Sequence, residues 1–494
     1  MKPKRLVILK VSAMLIACAS FIAFASDAEA QGTPKTAQRA AATDHERLAR
    51  AVYAELVGTN TMDTVGSTTR AARAMAKRFL DAGFPPADVQ ILIPPGDSTK
   101  GNLIVRYHGR GGANAPKPLL LLAHIDVVAA LRSDWSRDPF ELQEDNGFFY
   151  GRGSADDKAM AAIFVANLLQ YKAEGWKPDR DVILALTAAE EGGDNNGAEW
   201  LVSQHKPLID AAYALNEGGG GTLSGKGSDV RPLFNSIQAG EKVPENFKLT
   251  VRNSGGHSSV PRPDNAIYSL ANALARLGRF TFPVSLNPVS REFFTQTAKV
   301  ESPAMAAAMR AIVANPKNSV AAAKLSADPR YASMLRTTCV ATRLAGGHAN
   351  NALPQTATAN VNCRIVPTSS IAEAQATLAR VFADTSVKIT FSTSEREKFP
   401  VTTAPIVPEL MSAATALTRT MWGNIPVVPV MSTGATDGRY LRAAGIPTYG
   451  VSGIFSVSGE TNAHGRDEKL RTRSFYEGLD FLDKLVRRLG GGAQ

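Results

Sequence analysis

Five short polar segments carry the side chains with which this chain could do chemistry. Each stands directly beside an apolar segment, where a predicted strand or helix ends or begins. Imidazoles and carboxylates are the ligands that bind zinc and related divalent cations, and carboxylates also act as general acids and bases. The residues are His124, Asp126, Asp156, Glu190, Glu191, Glu217 and His464.

His124 and Asp126 follow four consecutive leucines, a run typical of a strand that is buried on both faces. Because residues two apart on an extended chain point the same way, Asp126 can hydrogen-bond the imidazole of His124 and orient it as a ligand. Asp156 begins a predicted helix after a glycine-rich turn, where its two oxygens could bridge two cations. Taken alone, the pattern around Asp156 favours the simpler role of helix N-cap.

Glu190 and Glu191 are adjacent after another buried strand, and they therefore point in different directions. One can bind a metal while the other holds a water, and Glu190 remains as the carboxylate for a water-activating base. Two histidines and three carboxylates together suit two zinc ions with one bridging ligand and an open position for water. Manganese or cobalt would also fit these ligands.

The elements that must position these side chains alternate between strands and helices up to residue 242. The predicted strands span 102–107, 118–123, 181–188 and 211–215, and the predicted helices span 44–56, 67–82, 159–173 and 197–204. This alternation predicts an α/β fold, a doubly wound and mostly parallel sheet with helices on both faces. Sites in such sheets form beyond the carboxyl ends of the strands, where the polar segments stand.

The pattern changes near residue 243 and returns to α/β near residue 397. In between, four predicted strands (247–252, 337–344, 356–367, 387–392) and two predicted helices (265–277, 371–382), with an alanine-rich helical stretch over 302–335, indicate a small antiparallel α+β unit. The sequence therefore predicts a signal peptide over 1–30, a catalytic di-metal domain over 31–242 and 397–494, and an inserted domain over 243–396.

The first thirty residues have the pattern of a secretory signal peptide. A positively charged start and the uncharged apolar run 11–25 precede Ala28 and Ala30, which stand at the two positions that a signal peptidase reads. The mature protein is therefore expected in the periplasm or outside the cell. Lipoprotein processing at Cys18 is the alternative, although the apolar run continues past that residue. No later segment is apolar enough to span a bilayer.

Composition and charge narrow the function further. With 494 residues, 44% of them hydrophobic and 20% charged, the chain is globular and long enough for more than one domain. The net charge of +10 is scattered rather than gathered into a basic stripe with aromatics, so nucleic-acid binding is not expected. Beyond the signal peptide, Cys339 and Cys363 either form a disulfide or are two small buried side chains.

The chain resembles a known enzyme family in five motifs, which occur in the family's order: LLLLAHIDVV, YGRGSADDK, TAAEEGG, LNEGGG and AHGRDE. The family is that of the zinc metallopeptidases, which includes glutamate carboxypeptidase, Gly-X carboxypeptidase, carnosinase-type dipeptidase and aminoacylase. The resemblance covers roughly residues 44–489. Segment 134–147 is most similar to the Gly-X carboxypeptidase and N-acyl-amino-acid hydrolase branch.

This resemblance implies a set of ligands for two zinc ions. Asp156 would bridge both ions, and the peptide bond that follows it would be cis. His124 and Glu217 would complete one metal site. Glu191 and His464 would complete the other.

The resemblance also implies catalytic and substrate-binding residues. Glu190 would be the general base, and Asp126 would support His124. In the inserted domain, His257 would polarise the scissile carbonyl, often from a partner subunit, while Arg364 would bind the substrate carboxylate and Asn351 would lie on a substrate-facing loop. The segment 434–439 resembles a further substrate loop.

The function implied is that of an exported zinc-dependent exopeptidase, a carboxypeptidase or dipeptidase that cleaves an amide bond adjacent to a free carboxylate. An N-acyl-amino-acid hydrolase is the alternative, because it cuts the same kind of bond. A non-catalytic exported binding protein would not need Glu190. The inserted domain 243–396 would act as a lid and form a homodimer. Its stretch 282–336 is longer than such a lid needs, and it would cover the cleft or alter the subunit contact.

Overall fold

The structure is a computed structural model that describes residues 42–112, 115–227, 229–391 and 402–492. The predicted signal peptide, Cys18 and the predicted domain boundary between residues 396 and 397 lie outside the described residues. No helix in the described ranges is long and apolar enough to cross a membrane.

The helices agree closely with those that the apolar spacing predicts. In chain order they are α1 (Asp44–Gly58), α2 (Thr68–Asp81), α3 (Lys158–Glu174), α4 (Gly197–Gln204), α5 (Lys206–Ile209), α6 (Ala266–Arg279), α7 (Pro288–Thr297), α8 (Pro303–Ala314), α9 (Ser319–Ser326), α10 (Pro329–Leu335), α11 (Ile371–Phe382), α12 (Pro408–Trp422), α13 (Gly438–Ala443) and α14 (Thr472–Gly490).

The strands form two larger sheets and two small ones. In chain order they are β1 (Val89–Leu92), β2 (Asn102–Tyr107), β3 (Leu119–His124), β4 (Gln143–Asp145), β5 (Phe148–Tyr150), β6 (Val182–Thr187), β7 (Tyr213–Asn216), β8 (Gly220–Ser224), β9 (Arg231–Glu241), β10 (Val243–Arg252), β11 (Gly256–His257), β12 (Thr338–Gly346), β13 (Ala352–Leu353), β14 (Thr356–Ile365), β15 (Lys388–Thr390), β16 (Val427–Ser432), β17 (Thr448–Gly450), β18 (Phe455–Ser456) and β19 (Lys469–Arg471).

Ten of the described strands form the large sheet, in the order β1-β2-β6-β3-β7-β17-β9-β8-β18 with β16 paired to β9. The strands β6, β3, β7 and β17 at its centre run parallel. Every residue of β3 and of β6 is buried, which explains why their sequences are almost continuously apolar. The predicted α/β fold with a mostly parallel sheet is confirmed.

The antiparallel hairpin β8–β9 in this sheet was not predicted from the sequence. Its second strand contains Asn235, Ser236 and Gln238, which are all buried and interrupt an apolar pattern. Two hydrogen bonds anchor this strand: the Asn235 amide N–H donates to Thr418 Oγ1 (3.0 Å), and the Ser236 hydroxyl donates to the carbonyl of Gly220 (2.7 Å). A buried strand that contains polar side chains has no clear periodicity in its sequence.

The second sheet, β12-β14-β10-β15, is antiparallel and has its own hydrophobic core. The helices α6 and α11 supply Leu270 and Leu378 to this core, against Phe247 and Val361 of the sheet. This is the α+β unit that the sequence predicts, and we call it the lid. A disulfide joins Cys339 of β12 to Cys363 of β14 across the sheet, so the pairing alternative is the one that the structure has.

The helices α7 to α10 fill the long stretch between α6 and β12, but they do not pack in the core of the lid. Their buried side chains, among them Phe294, Met309 and Leu335, belong to the same hydrophobic cluster as the central strands of the large sheet. Helix α7 lies against β16 of that sheet. The domain boundaries at residues 243 and 396 stay predictions, while the packing joins 288–335 to the large sheet.

Candidate metal centre

The polar residues of the five motifs meet at the carboxyl edge of the large sheet. Strand β3 lies between β6 and β7, so His124 at the end of β3 is close to Glu217, which follows β7. Glu190 and Glu191 follow β6 after a short turn, in which Ala189 has a left-handed φ of 57°. A strand edge that gathers residues from neighbouring parallel strands is the arrangement expected for sites in such folds.

Asp156 lies between the two imidazoles. Its Oδ1 is 3.1 Å from Nε2 of His124, and its Oδ2 is 3.1 Å from Nε2 of His464. The other oxygens complete two groups: Glu217 Oε2 is 3.6 Å from the same His124 nitrogen, and Glu191 Oε2 is 2.9 Å from the His464 nitrogen. Each oxygen of Asp156 therefore faces a separate set of one histidine and one glutamate.

This arrangement decides between the two roles that the sequence left open for Asp156. Helix α3 begins at Lys158, its N-cap residue is Asp157, and no side-chain hydrogen bond caps it. Asp156 therefore does not act as a cap, and its carboxylate is directed to the histidines. The peptide bond between Asp156 and Asp157 is cis, as the resemblance implied.

The donor set fits divalent cations. Two groups of side chains have ligand atoms within 4.8 Å of one another: His124, Asp156 and Glu191 form one, and His124, Glu190 and Glu217 form the other. Moreover, Oε1 of Glu217 is buried and has no hydrogen-bond partner among the described residues. A buried carboxylate oxygen without a donor is costly unless a cation neutralises it.

Asp126 contacts the site in a different way from the one predicted. Its backbone carbonyl is 3.2 Å from Nδ1 of His124, whereas its carboxylate oxygen is 3.6 Å from that nitrogen. The carboxylate instead accepts hydrogen bonds from the backbone N–H groups of Glu190 (3.1 Å) and Glu191 (3.0 Å). Asp126 therefore holds the turn that carries both glutamates while its main chain contacts the imidazole.

A cavity of about 320 Å³ opens beside the cluster. Its wall comes from three places: the acidic turn, the lid strands β10 and β14, and the segment between β16 and α13. The lining residues are Glu190, Glu191, Asn196, Pro244, Arg364, Gly434, Ala435, Thr436, Asp437, Arg439, Tyr440 and His464. Arg364 and the segment 434–439 thus lie where a substrate next to the cluster would contact them.

His257 and Asn351 are close to each other but do not line this cavity. Strand β11 pairs with β13, and the backbone N–H of Ser258 donates to the carbonyl of Asn351 (3.0 Å). Both side chains are exposed, and the ribbon that carries them follows the far end of β10. Pro244 near the start of β10 lines the cavity, whereas the ribbon follows the other end of this strand, and the eight residues between Pro244 and Arg252 span about 25 Å.

Comparison with known proteins agrees with this site. A family model described as peptidase family M20/M25/M40 matches residues 120–488, which contain all of the residues discussed above. The chain belongs to this peptidase family. It is therefore a metal-dependent hydrolase of the M20 type, and the alternative of a non-catalytic binding protein is not retained.

Relatives within the M20 family differ in the activity that their names state. The chain is 27% identical over 414 residues to a probable carboxypeptidase S-like 2 of Dictyostelium discoideum, covering 83% of this chain and 78% of that protein. It is 28% identical over 380 residues to the N-fatty-acyl-amino acid synthase/hydrolase PM20D1 of Xenopus tropicalis, covering 75% and 72%. Among solved structures, the M20 family metallo-carboxypeptidase Sso-CP2 of Sulfolobus solfataricus shares the fold, with a TM-score of 0.64, 18% identity and coverage of 89% and 98%.

The electrostatics of this M20 site favour a bound cation. Burial raises the pKa of Glu190 to about 10, with the charge of Glu217 adding to it, and burial likewise raises the pKa values of Glu191 and Glu217 to about 7. Burial opposes protonation of His124, but the charges of Glu217 and the neighbouring carboxylates raise its pKa well above the usual value. The site therefore has more buried negative charge than its histidines can balance, which a divalent cation would correct.

Two further carboxylates position the M20 site and were not recognised from the sequence. Glu468 is buried and accepts four hydrogen bonds: from Arg152 Nη1 (2.7 Å) and from the backbone N–H groups of Gly153 (3.1 Å), Ala155 (2.7 Å) and Asp156 (3.1 Å). It thereby fixes the loop that carries the carboxylate of Asp156. Glu468 stands in the same AHGRDE segment as His464. Its role could not be recognised there, because its hydrogen-bond partners are more than 300 positions away in the sequence.

Asp437 performs a similar task on the other side of the cavity. It is buried and accepts from Thr187 Oγ1 (2.7 Å) and from the side chain of Asn196 (2.8 Å), which also caps α4. Burial raises its pKa to about 6. The resemblance had indicated segment 434–439 as a substrate loop, but it gave no role to this carboxylate.

Proposed function

We propose that this protein is a two-metal exopeptidase that cleaves an amide bond next to a free carboxylate, as a carboxypeptidase or dipeptidase does. One observation carries the proposal: the carboxylate of Asp156 lies between two histidine-glutamate pairs, beside a cavity whose wall also contains Arg364. A metal centre and a cationic fork at one cavity are what exo-cleavage requires, because the substrate must be held by its terminal carboxylate while the adjacent amide reacts.

The proposed ligands are those that the resemblance implied. Asp156 would bridge, with His124 and Glu217 on one ion and Glu191 and His464 on the other. Zinc suits this set, and manganese or cobalt is the alternative. Bound there, the ions would supply Lewis acidity, which polarises an amide carbonyl and makes a water easier to deprotonate.

The chain's own residues would handle the proton and the substrate. The carboxylate of Glu190 is half-buried at the cavity wall, and the positive charge of the bound cations would keep it ionised there. It would take a proton from the attacking water and return it to the nitrogen of the leaving amine. The guanidinium of Arg364 would hold the substrate carboxylate at the lid side of the cavity. A planar fork suits this contact because it can donate two parallel hydrogen bonds.

An N-acyl-amino-acid hydrolase is the second candidate, and the similarity to the N-fatty-acyl-amino acid synthase/hydrolase favours it. The cavity argues for a short acyl side. Most of its lining residues are charged or polar, and Pro244, Ala435 and the ring of Tyr440 are the largely apolar groups among them. A long alkyl chain would gain little there, because the stabilisation of such a chain depends on apolar area buried.

The deciding experiment is a substrate panel on the mature protein, with and without a chelator. Glycyl-L-leucine and N-acetyl-L-methionine would be compared with N-dodecanoyl-L-leucine and with the carboxamide of the dipeptide. We expect chelator-sensitive cleavage of substrates with a free carboxylate, and a much lower kcat/KM for the carboxamide. Equal cleavage of acid and amide would contradict exo-cleavage, and preference for the dodecanoyl substrate would favour the second candidate.

We further propose that the enzyme is a homodimer in which His257 acts at the cavity of the partner subunit. The absence of His257 from the lining of the cavity of its own chain, and its place beyond the far end of β10, support this. The edge strand β12 supports it too, because Val340 and Leu344 are 59% and 68% exposed there and Tyr268 of α6 is 64% exposed. An unpaired edge with apolar side chains is a surface that proteins normally cover.

We also propose that the protein is exported, with removal of residues 1–30. The pattern of the N-terminal sequence supports this, together with the cysteine pair in the lid, since disulfides persist in oxidising compartments. N-terminal sequencing of the mature protein from a Gram-negative host tests it. A chain beginning at Gln31 in the periplasmic or secreted fraction is expected, whereas a lipid-modified chain beginning at Cys18 would support the lipoprotein alternative.

A further inference from the structure

A buried ion pair lies next to the cavity and is not used by the mechanism above. Glu241 is the last residue of β9, and Arg442 belongs to α13. The Arg442 guanidinium donates to Oε1 of Glu241, and the side chains are only 3% and 1% exposed, respectively. Burying two charges is costly, and an apolar pair of similar volume is often at least as stable. Stability alone therefore gives little reason for an ion pair at this place.

The second oxygen of Glu241 contacts the wall of the cavity. It accepts a hydrogen bond from the backbone N–H of Thr436 (2.7 Å). Thr436 lies in the middle of the loop 433–437 between β16 and α13, and four consecutive residues of this loop, 434–437, line the cavity. The carboxylate of Glu241 thus connects the guanidinium of Arg442 on one side to the main chain of the cavity wall on the other.

The main chain that follows Glu241 reaches the part of the cavity wall that the lid strands β10 and β14 form. Three residues further on, Pro244 lines the cavity, and it is paired across β10 and β14 with Arg364. Between them, the backbone N–H of Lys242 donates to the carbonyl of Ser432, the last residue before the loop (2.9 Å). Glu241 therefore joins the loop wall to the lid strands that carry the proposed carboxylate-binding arginine.

Arg442 has little freedom to move away from this arrangement. Its other nitrogens donate to the carbonyls of Thr402 (3.2 Å) and Thr448 (3.3 Å). A side chain at Gly438 would approach Arg442 Nη1 to 2.9 Å, so the guanidinium packs directly on the first residue of α13. The pair is held on all sides, which is what a group needs in order to position another group accurately.

We propose that Glu241 and Arg442 are positioning residues that hold the loop 433–437 against the lid strands and so set the affinity of the cavity for substrate. The proposal rests on the proposed function for the identity of the substrate. Neither residue touches the metal ligands, so the pair should govern ground-state binding rather than the chemical step. Loss of such binding appears as a higher KM at nearly constant kcat.

The test replaces Glu241 with glutamine, which keeps the shape but presents one acceptor oxygen to two donors. We expect the Glu241→Gln variant to raise KM for glycyl-L-leucine and N-acetyl-L-methionine about tenfold, the effect of losing one charge-assisted hydrogen bond. Its kcat should stay within about twofold, and its metal content should not change. In addition, hydrogen exchange of a peptide covering 432–440 should become faster, because the Thr436 amide loses its acceptor.

Asp181→Asn is the matched control. Its carboxylate also accepts from an arginine (Arg106, 2.9 Å) and from a backbone N–H (Gly109, 2.9 Å), but it stands at the opposite end of β6 from the site. Should the Glu241→Gln variant fail to fold, Arg442→Lys keeps the charge and loses the fork, and it should show a smaller rise in KM with the same constant kcat.

The proposal is overturned if kcat falls while KM is unchanged, or if Asp181→Asn raises KM by the same factor. If the wild-type protein cleaves nothing in the panel, the proposed function fails, and the positioning role of Glu241 and Arg442 is judged separately. In that case calorimetric binding of free L-leucine and hydrogen exchange at 432–440 are measured. If the Glu241→Gln variant then binds L-leucine as the wild type does and its hydrogen exchange at 432–440 is unchanged, the positioning role is rejected.

Discussion

Several carboxylates near the metal centre do not face it, and these hold the loops that do. Asp126 accepts from the turn of Glu190 and Glu191, while Glu468 accepts from the loop of Asp156. A carboxylate that accepts from several backbone N–H groups fixes the backbone around it. The ligand atoms are thereby placed before any ion binds, which lowers the cost of ordering them.

Glu468 offers the most direct test of this support. Replacing Glu468 with glutamine leaves one acceptor oxygen for Arg152 and three backbone donors, so the loop carrying Asp156 should relax. Residues that orient metal ligands typically change metal affinity by 10- to 100-fold, and we expect zinc affinity to fall by about that factor. Competition with a chromophoric chelator measures it.

Asp181→Asn is the control, because Asp181 accepts from Arg106 and from the backbone N–H of Gly109 at the end of β6 opposite the site. It should leave zinc affinity unchanged. If Glu468→Gln binds zinc as tightly as the wild type does, the loop does not need this carboxylate.

Lys242 gives a prediction for stability against pH. The side chain is fully buried, and its Nζ donates to the carbonyl of Arg336 (2.6 Å). Burial, and after it the charges of Arg364 and Arg336, lower the pKa of Lys242 to about 8. The unfolded chain, with a pKa of about 10.4, therefore binds more protons than the folded protein between these two values, so stability should rise with pH across this window.

In Lys242→Met this rise should be missing. We expect the difference in unfolding free energy between variant and wild type to change by about 2 kcal/mol from about pH 7 to about pH 10. Urea unfolding at several pH values measures the difference. Lys248→Met, an exposed lysine of the neighbouring strand, should run parallel to the wild type, and a parallel curve for Lys242→Met would disprove the assignment.

At the scale of elements, the helices α7 to α10 raise the question of which core they stabilise. Phe294 of α7 is fully buried in the cluster of the large sheet, whereas Phe382 of α11 is 1% exposed in the core of the lid. Truncation of a buried phenylalanine to alanine typically costs about 3–5 kcal/mol. We expect Phe294→Ala to increase hydrogen exchange in β16, and Phe382→Ala to increase it in β14.

Each variant is the control for the other. Faster exchange in β14 after Phe294→Ala, with β16 unchanged, would mean that α7 belongs to the lid after all. The predicted domain limits would then describe the cooperative units better than the packing does.

The elements whose apolar residues follow a simple periodicity could be predicted from the sequence. The strands β3 and β6 are almost continuously apolar and the candidate ligands stand at or after their ends, so both the sheet and the candidate site could be predicted. Prediction from the sequence failed at β9, where Asn235 and Gln238 are buried polar side chains and the amide of Asn235 donates to the distant Thr418. It also gave no role to Glu241 or Glu468, because the function of a buried carboxylate depends on which backbone N–H groups lie around it, and no local pattern records those.

At the scale of the whole molecule, the proposed role of His257 requires a second copy of the chain. His257 is exposed on a ribbon outside the cavity of its own subunit, yet the resemblance gives it a role at the scissile carbonyl. Both statements hold together if the lids of two subunits associate through β12 and each ribbon reaches the other cavity. In a symmetric dimer every such contact occurs twice.

Mixing two inactive variants distinguishes this arrangement from action within one chain. Glu190→Gln lacks the proposed base, and His257→Ala lacks the lid histidine, so each homodimer should be nearly inactive. After dissociation and random reassociation of equal amounts, half of the dimers are mixed. Each mixed dimer has one cavity with an intact Glu190 that receives His257 of the partner subunit, which gives about a quarter of the wild-type activity. No recovery in the mixture, with dimers present by light scattering, would mean that His257 serves its own cavity or none.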